Sequence, residues 1–267
     1  MRVTFKEEGH VYESFPAVSW TSVTKVVEMF CPHFDDRNQA ITSSQNERSK
    51  WYGIDPTEIL ELWEMERNRS TEAGSWFHHQ MELKAIKAGT KLHRGKTLNV
   101  FETGFVKGIK EARDQVLTDG VYPEHLIFNE KIGVCGQSDL VFVADNILDI
   151  SDYKTNKEMK LKSYVNRNGE SQMMRTPIDN LEDCNFFHYA LQLSIYMKLI
   201  LIKNPHLKPG ILELIHIIFE VHHYDQYGFP VLVRERDGYK VKEIKKYKCP
   251  YLEKEAVLVL KKIYKGS

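Results

Sequence analysis

Residues 136–155 read Gly-Gln-Ser-Asp-Leu-Val-Phe-Val-Ala-Asp-Asn-Ile-Leu-Asp-Ile-Ser-Asp-Tyr-Lys-Thr. Two apolar runs meet at Asp145 and Asn146, which is the pattern of a β-hairpin built from two largely buried strands. Asp139 opens the first strand, and Asp152 and Lys154 close the second. Antiparallel pairing sets the start of one strand beside the end of the other. The spacing of two puts Asp152 and Lys154 on one face. The three side chains are therefore expected to converge. Two carboxylates held together repel, and a metal cation relieves them. A lysine beside them suits a substrate that carries negative charge. A surface hairpin with solvated acids accounts well for Asp145 and Asn146. It accounts poorly for an acid and a lysine that end an apolar strand. On these residues alone the two readings stand level.

The chain has 267 residues, which suits one large α/β domain with insertions, or a domain and a half. Hydrophobic residues make up 42% and charged residues 28%, an ordinary globular balance. Lys plus Arg equals Asp plus Glu at 37 each, so any nucleic-acid surface must be local. Cys31, Cys135, Cys184 and Cys249 are scattered, without zinc-ribbon or iron–sulfur spacing. Free thiols in a reducing compartment are expected. The N-terminal stretch resembles neither a signal peptide nor a transit peptide, and no apolar run approaches a membrane span. The expectation is a soluble, intracellular protein.

Taken in order, residues 2–13 predict a hairpin turning at Glu8-Gly9. Trp20 to Thr24 leads into a helix through Met29, with Ser22 or Thr21 as N-cap. Such a helix start can also hold a phosphate, through Ser22 and Thr24. Residues 31–54 read as short helices and loops. Asp55-Pro56-Thr57-Glu58 is a strong helix start, with Asp55 as cap and Pro56 in the first position. That helix is expected to end near Asn68, and a second to run from Ser70 to Gly89. In it, His78 and Glu82 share a face, and Gly74 allows a close approach one turn before His78. Residues 90–98 read as a basic loop, and 99–117 as a helix with Phe101, Phe105, Ile109 and Val116 facing the core. A strand at about 125–134 carries Glu130. Residues 156–182 read as an irregular basic loop, solvated or tracking a phosphate backbone. A long helix spans 184–203, with Gln192 on an otherwise apolar face, where a buried amide needs partners. Strands at about 211–221 and 229–235 and a helix at 252–264 complete the chain.

Four segments together resemble the PD-(D/E)xK nucleases of the RecB type. Gly-Ser-Trp-Phe-His at 74–78 resembles the helical histidine motif, with Glu82 following. Gly-Gln-Ser-Asp at 136–139 resembles the first strand acid. Asp-Tyr-Lys-Thr at 152–155 resembles the acid-x-lysine signature. Gln192 and Tyr196 resemble the Gln-x-x-x-Tyr helix. Each motif is weak alone, but four in the family's order over 74–196 are specific. The opening hairpin followed by Ser22-Val23-Thr24 is similar to the start of phage and mitochondrial genome-maintenance exonucleases. The iron–sulfur branch carries a cysteine cluster after the Gln-x-x-x-Tyr helix, and only Cys249 follows it here, so no iron–sulfur cluster is expected.

The resemblance implies an α/β fold: a restriction-endonuclease-like core with a mixed central β-sheet flanked by helices. An N-terminal hairpin and helical additions would accompany it. One domain is expected over 1–267, with a cover at 1–70, a core at 71–235 and a C-terminal helix at 236–267. It implies a Mg2+- or Mn2+-dependent deoxyribonuclease, an exonuclease on single-stranded DNA ends. The alternatives are an inactive nuclease-fold DNA-binding protein, a structure-specific endonuclease, or an enzyme for small phosphate esters. Asp139, Asp152 and the Tyr153 carbonyl would hold the metal, with His78 completing the shell and Lys154 orienting water. Gln192 and Tyr196 would hold the site or the strand, and Tyr196 reads equally as a core aromatic. Glu82 and Glu130 would support from behind. Partners would be DNA and other replication or recombination proteins, with no membrane.

Overall fold

The computed structural model describes residues 2–6, 11–102, 104–106, 109–112 and 116–266. β1 (Arg2–Lys6) and β2 (Val11–Phe15) form the expected antiparallel hairpin, whose Glu8-Gly9 turn lies outside the described residues. β3 (Thr21–Ser22) runs into α1 (Val23–Glu28), and the Ser22 hydroxyl accepts from the Lys25 N–H as a helix cap. α2 (Asp36–Gln45) follows, capped by Asp35.

α3 (Pro56–Ala88) is one helix of 33 residues, where two were expected. Asp55 caps it, Pro56 stands in its first turn, and Gly89 closes it at φ 67°. The stretch near Asn68 does not break. Arg69 bonds Glu66 one turn back at 3.0 Å and Asp225 from a distant loop at 3.2 Å, so ion pairs hold the polar stretch helical.

The basic segment after α3 is a hairpin, not a loop: β4 (Thr90–His93) pairs β5 (Lys96–Asn99). The helix expected at 99–117 is also replaced. Its described parts are β6 (Gly104–Val106) and β7 (Ile109–Ala112), and β7 pairs β1. Phe101 and Val116 are exposed rather than core-facing, and the side chains of Phe105 and Ile109 lie outside the described residues.

β8 (Gly120–Asn129), β9 (Val134–Ala144) and β10 (Ile147–Lys154) form an antiparallel meander. Asp145 and Asn146 turn it at φ 53° and 59°, the left-handed pair that matches strand twist. α4 (Asn185–Lys203) then crosses over, and β11 (Lys208–Phe219) returns parallel to β10. β12 (Val221–Tyr224) pairs β13 (Pro230–Leu232), and β14 (Arg234–Glu235) pairs β15 (Gly238–Tyr239). β16 (Val241–Cys249) adds an antiparallel edge to β11, and α5 (Glu253–Gly266) ends the chain. The result is an α/β fold with a mixed sheet in the order β16-β11-β10-β9-β3, with β8 on β9.

α4, α1 and α5 cover one face. Leu191, Leu193, Ile195, Met197 and Leu199 of α4 are fully buried against Val141, Val143, Leu148 and Ile150. Each such side chain contributes on the order of 2 kcal/mol of apolar burial. α3 lies on the other face, where Phe77 packs with Tyr153, Ile217 and Phe219. Among the described residues no helix is long and apolar enough to cross a membrane.

The sheet forks at its centre. β10 follows β9 only as far as Ser151 opposite Leu140, while Asp152, Tyr153 and Lys154 continue along β11 alone. β8 runs along the far edge of β9 throughout. The short β3 therefore meets Val134 and Cys135 on the edge that β10 has left. The fork opens between Asp139 and Asp152.

Candidate metal centre and nucleic-acid cleft

The fork brings groups from both faces of the sheet together. Asp152 and Lys154 share the face of Leu148 and Ile150 by alternation, toward α4. Tyr153 faces α3. Asp139 lies where the strands part, and its Oδ2 accepts from the Tyr153 N–H at 2.6 Å, in place of a strand-to-strand bond. Asp139 and Asp152 stand on the two sides of the fork, and Asp152 is not part of the group of side chains whose ligand atoms lie within 4.8 Å of one another there. Asp139 and Asp152 are both buried and bear on each other electrostatically.

His78 reaches the fork from α3, with Nδ1 3.2 Å from Asp139 Oδ1. Gly74 makes this approach possible: a Cβ there would stand 2.8 Å from the Thr155 hydroxyl, just past the end of β10. Lys154 reaches across from the other face. Its Nζ lies 2.5 Å from Asp152 Oδ2 and donates to Gln192 Oε1 at 3.2 Å. The Gln192 amide donates in turn to the Thr24 and Tyr196 hydroxyls, each at 3.3 Å. Its half-buried amide therefore ties α1, α4 and the lysine together.

Glu124 was not among the expected residues. It lies on β8 opposite Asp139, between the pairs Pro123–Leu140 and His125–Ser138. It is buried, its φ is 48°, and its Oε1 is 3.7 Å from His78 Nδ1. The Gln137 amide donates to its other oxygen. His78, Glu124 and Asp139 each offer a ligand atom within 4.8 Å of the others.

The electrostatics follow from this crowding. Burial alone would lower the His78 imidazole, but Asp139 and Glu124 push it up to about 11. Burial and then Asp152 push Asp139 up to about 6, against the pull of His78. Burial would lower Lys154, but Asp152 and Asp139 hold it at about 12. An acid-rich pocket that retains a proton on an imidazole is one whose charge a divalent cation can balance. The donor set fits: carboxylate oxygens and one imidazole suit Mg2+ or Mn2+. Asp152 is buried, and its Oδ2 lies 2.5 Å from the Lys154 ammonium; a carboxylate carries several lone pairs, so Asp152 can ligate such an ion as well.

The other expected residues fall differently. Tyr196 is core, its ring against Gly136 and its hydroxyl taken by Gln192, so it is not placed to stack on a base. The Ser22 hydroxyl accepts from the Lys25 N–H as a helix cap, and the Thr24 hydroxyl accepts from the Gln192 amide. Glu82 is buried along the same cleft, with His79 Nδ1 3.9 Å away. Glu130 lies outside the site. It follows β8 in a turn and pairs with Lys203 at 2.9 Å, because its side chain points to the end of α4.

The centre opens into a cleft of about 1080 Å³, lined by His78, Glu124, Tyr153, Lys154 and, at its rim, Arg67. A neighbouring cleft of about 840 Å³ shares Thr155 and Asn156 with it and carries Lys157. No protein-family model matches this chain, and no curated protein matches it either.

Proposed function

We propose that this chain is a metal-dependent nuclease of the PD-(D/E)xK type that hydrolyses phosphodiester bonds of DNA, with single-stranded ends as substrate. The observation that carries the reading is the meeting of His78, Asp139, Asp152 and Lys154 at one fork, backed by Gln192. A mixed sheet whose antiparallel β9–β10 pair is followed by α4 and a parallel β11 supports a restriction-endonuclease-like core.

Asp139, Asp152, His78 and the Tyr153 carbonyl would hold Mg2+ or Mn2+, with Glu124 as a further ligand. Bound there, the cation supplies positive charge to phosphoryl oxygens and acidifies water. The chain's own groups do the rest. The Lys154 ammonium keeps its proton at neutral pH, so it acts as a donor and fixed charge toward the attacking water and the phosphate. Gln192 fixes where that ammonium points. The open cleft admits a polymer, and a small phosphate ester would leave most of it unfilled. Arg67, Lys157, Lys160 and Lys162, exposed near the cleft and along the loop after β10, suit a phosphate backbone.

Labelled linear single-stranded DNA incubated with Mg2+ or Mn2+ tests the reading. Wild type is expected to degrade it, and Asp152→Ala and Lys154→Ala to lose at least about a thousandfold. Wild-type activity in either variant overturns the assignment. Circular single strands separate the alternatives: an exonuclease spares them and an endonuclease does not.

A further inference from the structure

A second group of ligating side chains lies outside the cleft. Cys31 lies three residues past the end of α1, and Asp183 and His188 flank the start of α4. His188 Nε2 stands 3.4 Å from Cys31 Sγ and 2.7 Å from Asp183 Oδ1. All three donor atoms lie within 4.8 Å of one another. Zn–N and Zn–O bonds of about 2.0–2.1 Å and Zn–S of about 2.3 Å place tetrahedral donors roughly 3.3–3.6 Å apart. The sulfur–imidazole pair already has that spacing. The carboxylate would withdraw by only about half an ångström, exchanging a hydrogen bond for a metal bond.

Nucleophilic catalysis does not explain the trio. A cysteine–histidine–acid relay uses the two ring nitrogens separately, one toward the thiol and one toward the acid. Here the same Nε2 faces both, which is how donors gather around a common point. All four cysteines are free, and Cys31 is half-buried. The His188 and Asp183 side chains are 26% and 14% exposed, so the group is held in place yet open on one side to a fourth ligand.

We propose that Cys31, Asp183 and His188 bind a thiophilic divalent cation, Zn2+ by chemistry, at a site distinct from the cleft. A thiolate, an imidazole and one carboxylate select Zn2+ over the oxygen-seeking Mg2+, whereas the cleft set contains no sulfur. The site clamps the end of α1 to the start of α4. His188 lies one turn before Gln192 on α4, and Gln192 already bonds Thr24 of α1 and Lys154. The clamp therefore fixes the wall that holds Lys154.

Co2+ titration of the full chain tests this, because a thiolate ligand adds a sulfur-to-cobalt charge-transfer band that the sulfur-free cleft cannot produce. One equivalent is expected to saturate the band in wild type. Cys31→Ser abolishes it, Cys249→Ser retains it, and His188→Gln weakens the apparent affinity at least about tenfold. Zn2+ raises the wild-type melting temperature more than that of Cys31→Ser. Far-ultraviolet circular dichroism reports folding, and His188→Gln carries the test if Cys31→Ser does not fold. No band in wild type, or an unchanged band in Cys31→Ser, overturns the site and leaves an acid–imidazole–thiol hydrogen-bond chain. Neither outcome bears on DNA cleavage, so this site and the nuclease reading fail separately.

Discussion

Glu124 holds a conformation that few non-glycine residues adopt, and a φ of 48° costs on the order of 1 kcal/mol or more. Gln137 anchors one of its oxygens while the other faces His78, so its packing alone does not require a charge. If that charge serves a cation, Glu124→Gln keeps the fold and weakens Mn2+ affinity by about 10–100-fold. Cleavage measured across a Mn2+ series should then recover at high metal. A uniform loss at every concentration would instead mark Glu124 as part of the framework. Gln192 makes the opposite prediction. Its carboxamide joins Lys154, Thr24 and Tyr196, and Gln192→Ala leaves buried polar atoms without it. The expected loss is about 1–3 kcal/mol in urea unfolding, together with reduced cleavage. A variant as stable and as active as wild type would make this helix ordinary core.

The elements differ in how far the sequence foretells them. The β9–β10 hairpin, its Asp145-Asn146 turn and α4 were legible because local pattern and tertiary role agree there. Glu124 was not, because the strand reads from about 125, past Pro123, and the left-handed backbone at Glu124 is not foretold by its residue type. The continuity of α3 was hidden because its polar middle is held by Asp225, far along the chain. The spacing of Phe101, Phe105 and Ile109 suits a helix, yet strand pairing with β1 wins at 109–112. The basic hairpin β4–β5 read as a loop because the acids that receive it, Asp149 and Asp145, lie some fifty residues on. The helical histidine motif depends on a contact that sequence only hints at, the one between Gly74 and Thr155. Gly74→Ala is expected to destabilise, because the new Cβ would stand 2.8 Å from Thr155 Oγ1. In a Thr155→Ala background the nearest remaining contact is at 4.0 Å. There the same change should stabilise by up to about 1 kcal/mol through helix propensity. A double-mutant cycle of unfolding free energies measures that reversal of sign.

At the scale of the whole molecule, two buried carboxylate sites pull stability in opposite directions. Asp149 ties three elements together: Arg94 Nε and Nη2 donate to it at 2.6 and 2.8 Å, His93 Nε2 lies at 2.6 Å, and the Ile211 N–H of β11 donates at 2.5 Å. Burial opposes its charge, but these donors win and hold its carboxyl below the ordinary value. A depressed carboxylate contributes stability that is whole above the unfolded value of about 3.9 and is lost as pH falls through the folded one. Asp149→Asn should cost about 3 kcal/mol near neutrality and flatten stability against pH below about 4. An unchanged acid slope would remove Asp149 from that role. The forked centre works the other way, since Asp139 and Asp152 crowd together and Asp139 resists ionisation. A cation that binds only the folded chain relieves the crowding, and at a hundred times its Kd it stabilises by about 2.7 kcal/mol. For a domain of this size that is a rise in Tm of roughly 5–10 °C. Differential scanning calorimetry with Mn2+ should show the rise in wild type and in Lys154→Ala, which keeps every proposed ligand. Asp152→Asn, which loses one, should show little. A rise of equal size in Asp152→Asn would place the cation away from the fork, and the proposed catalytic assignment would fall with it.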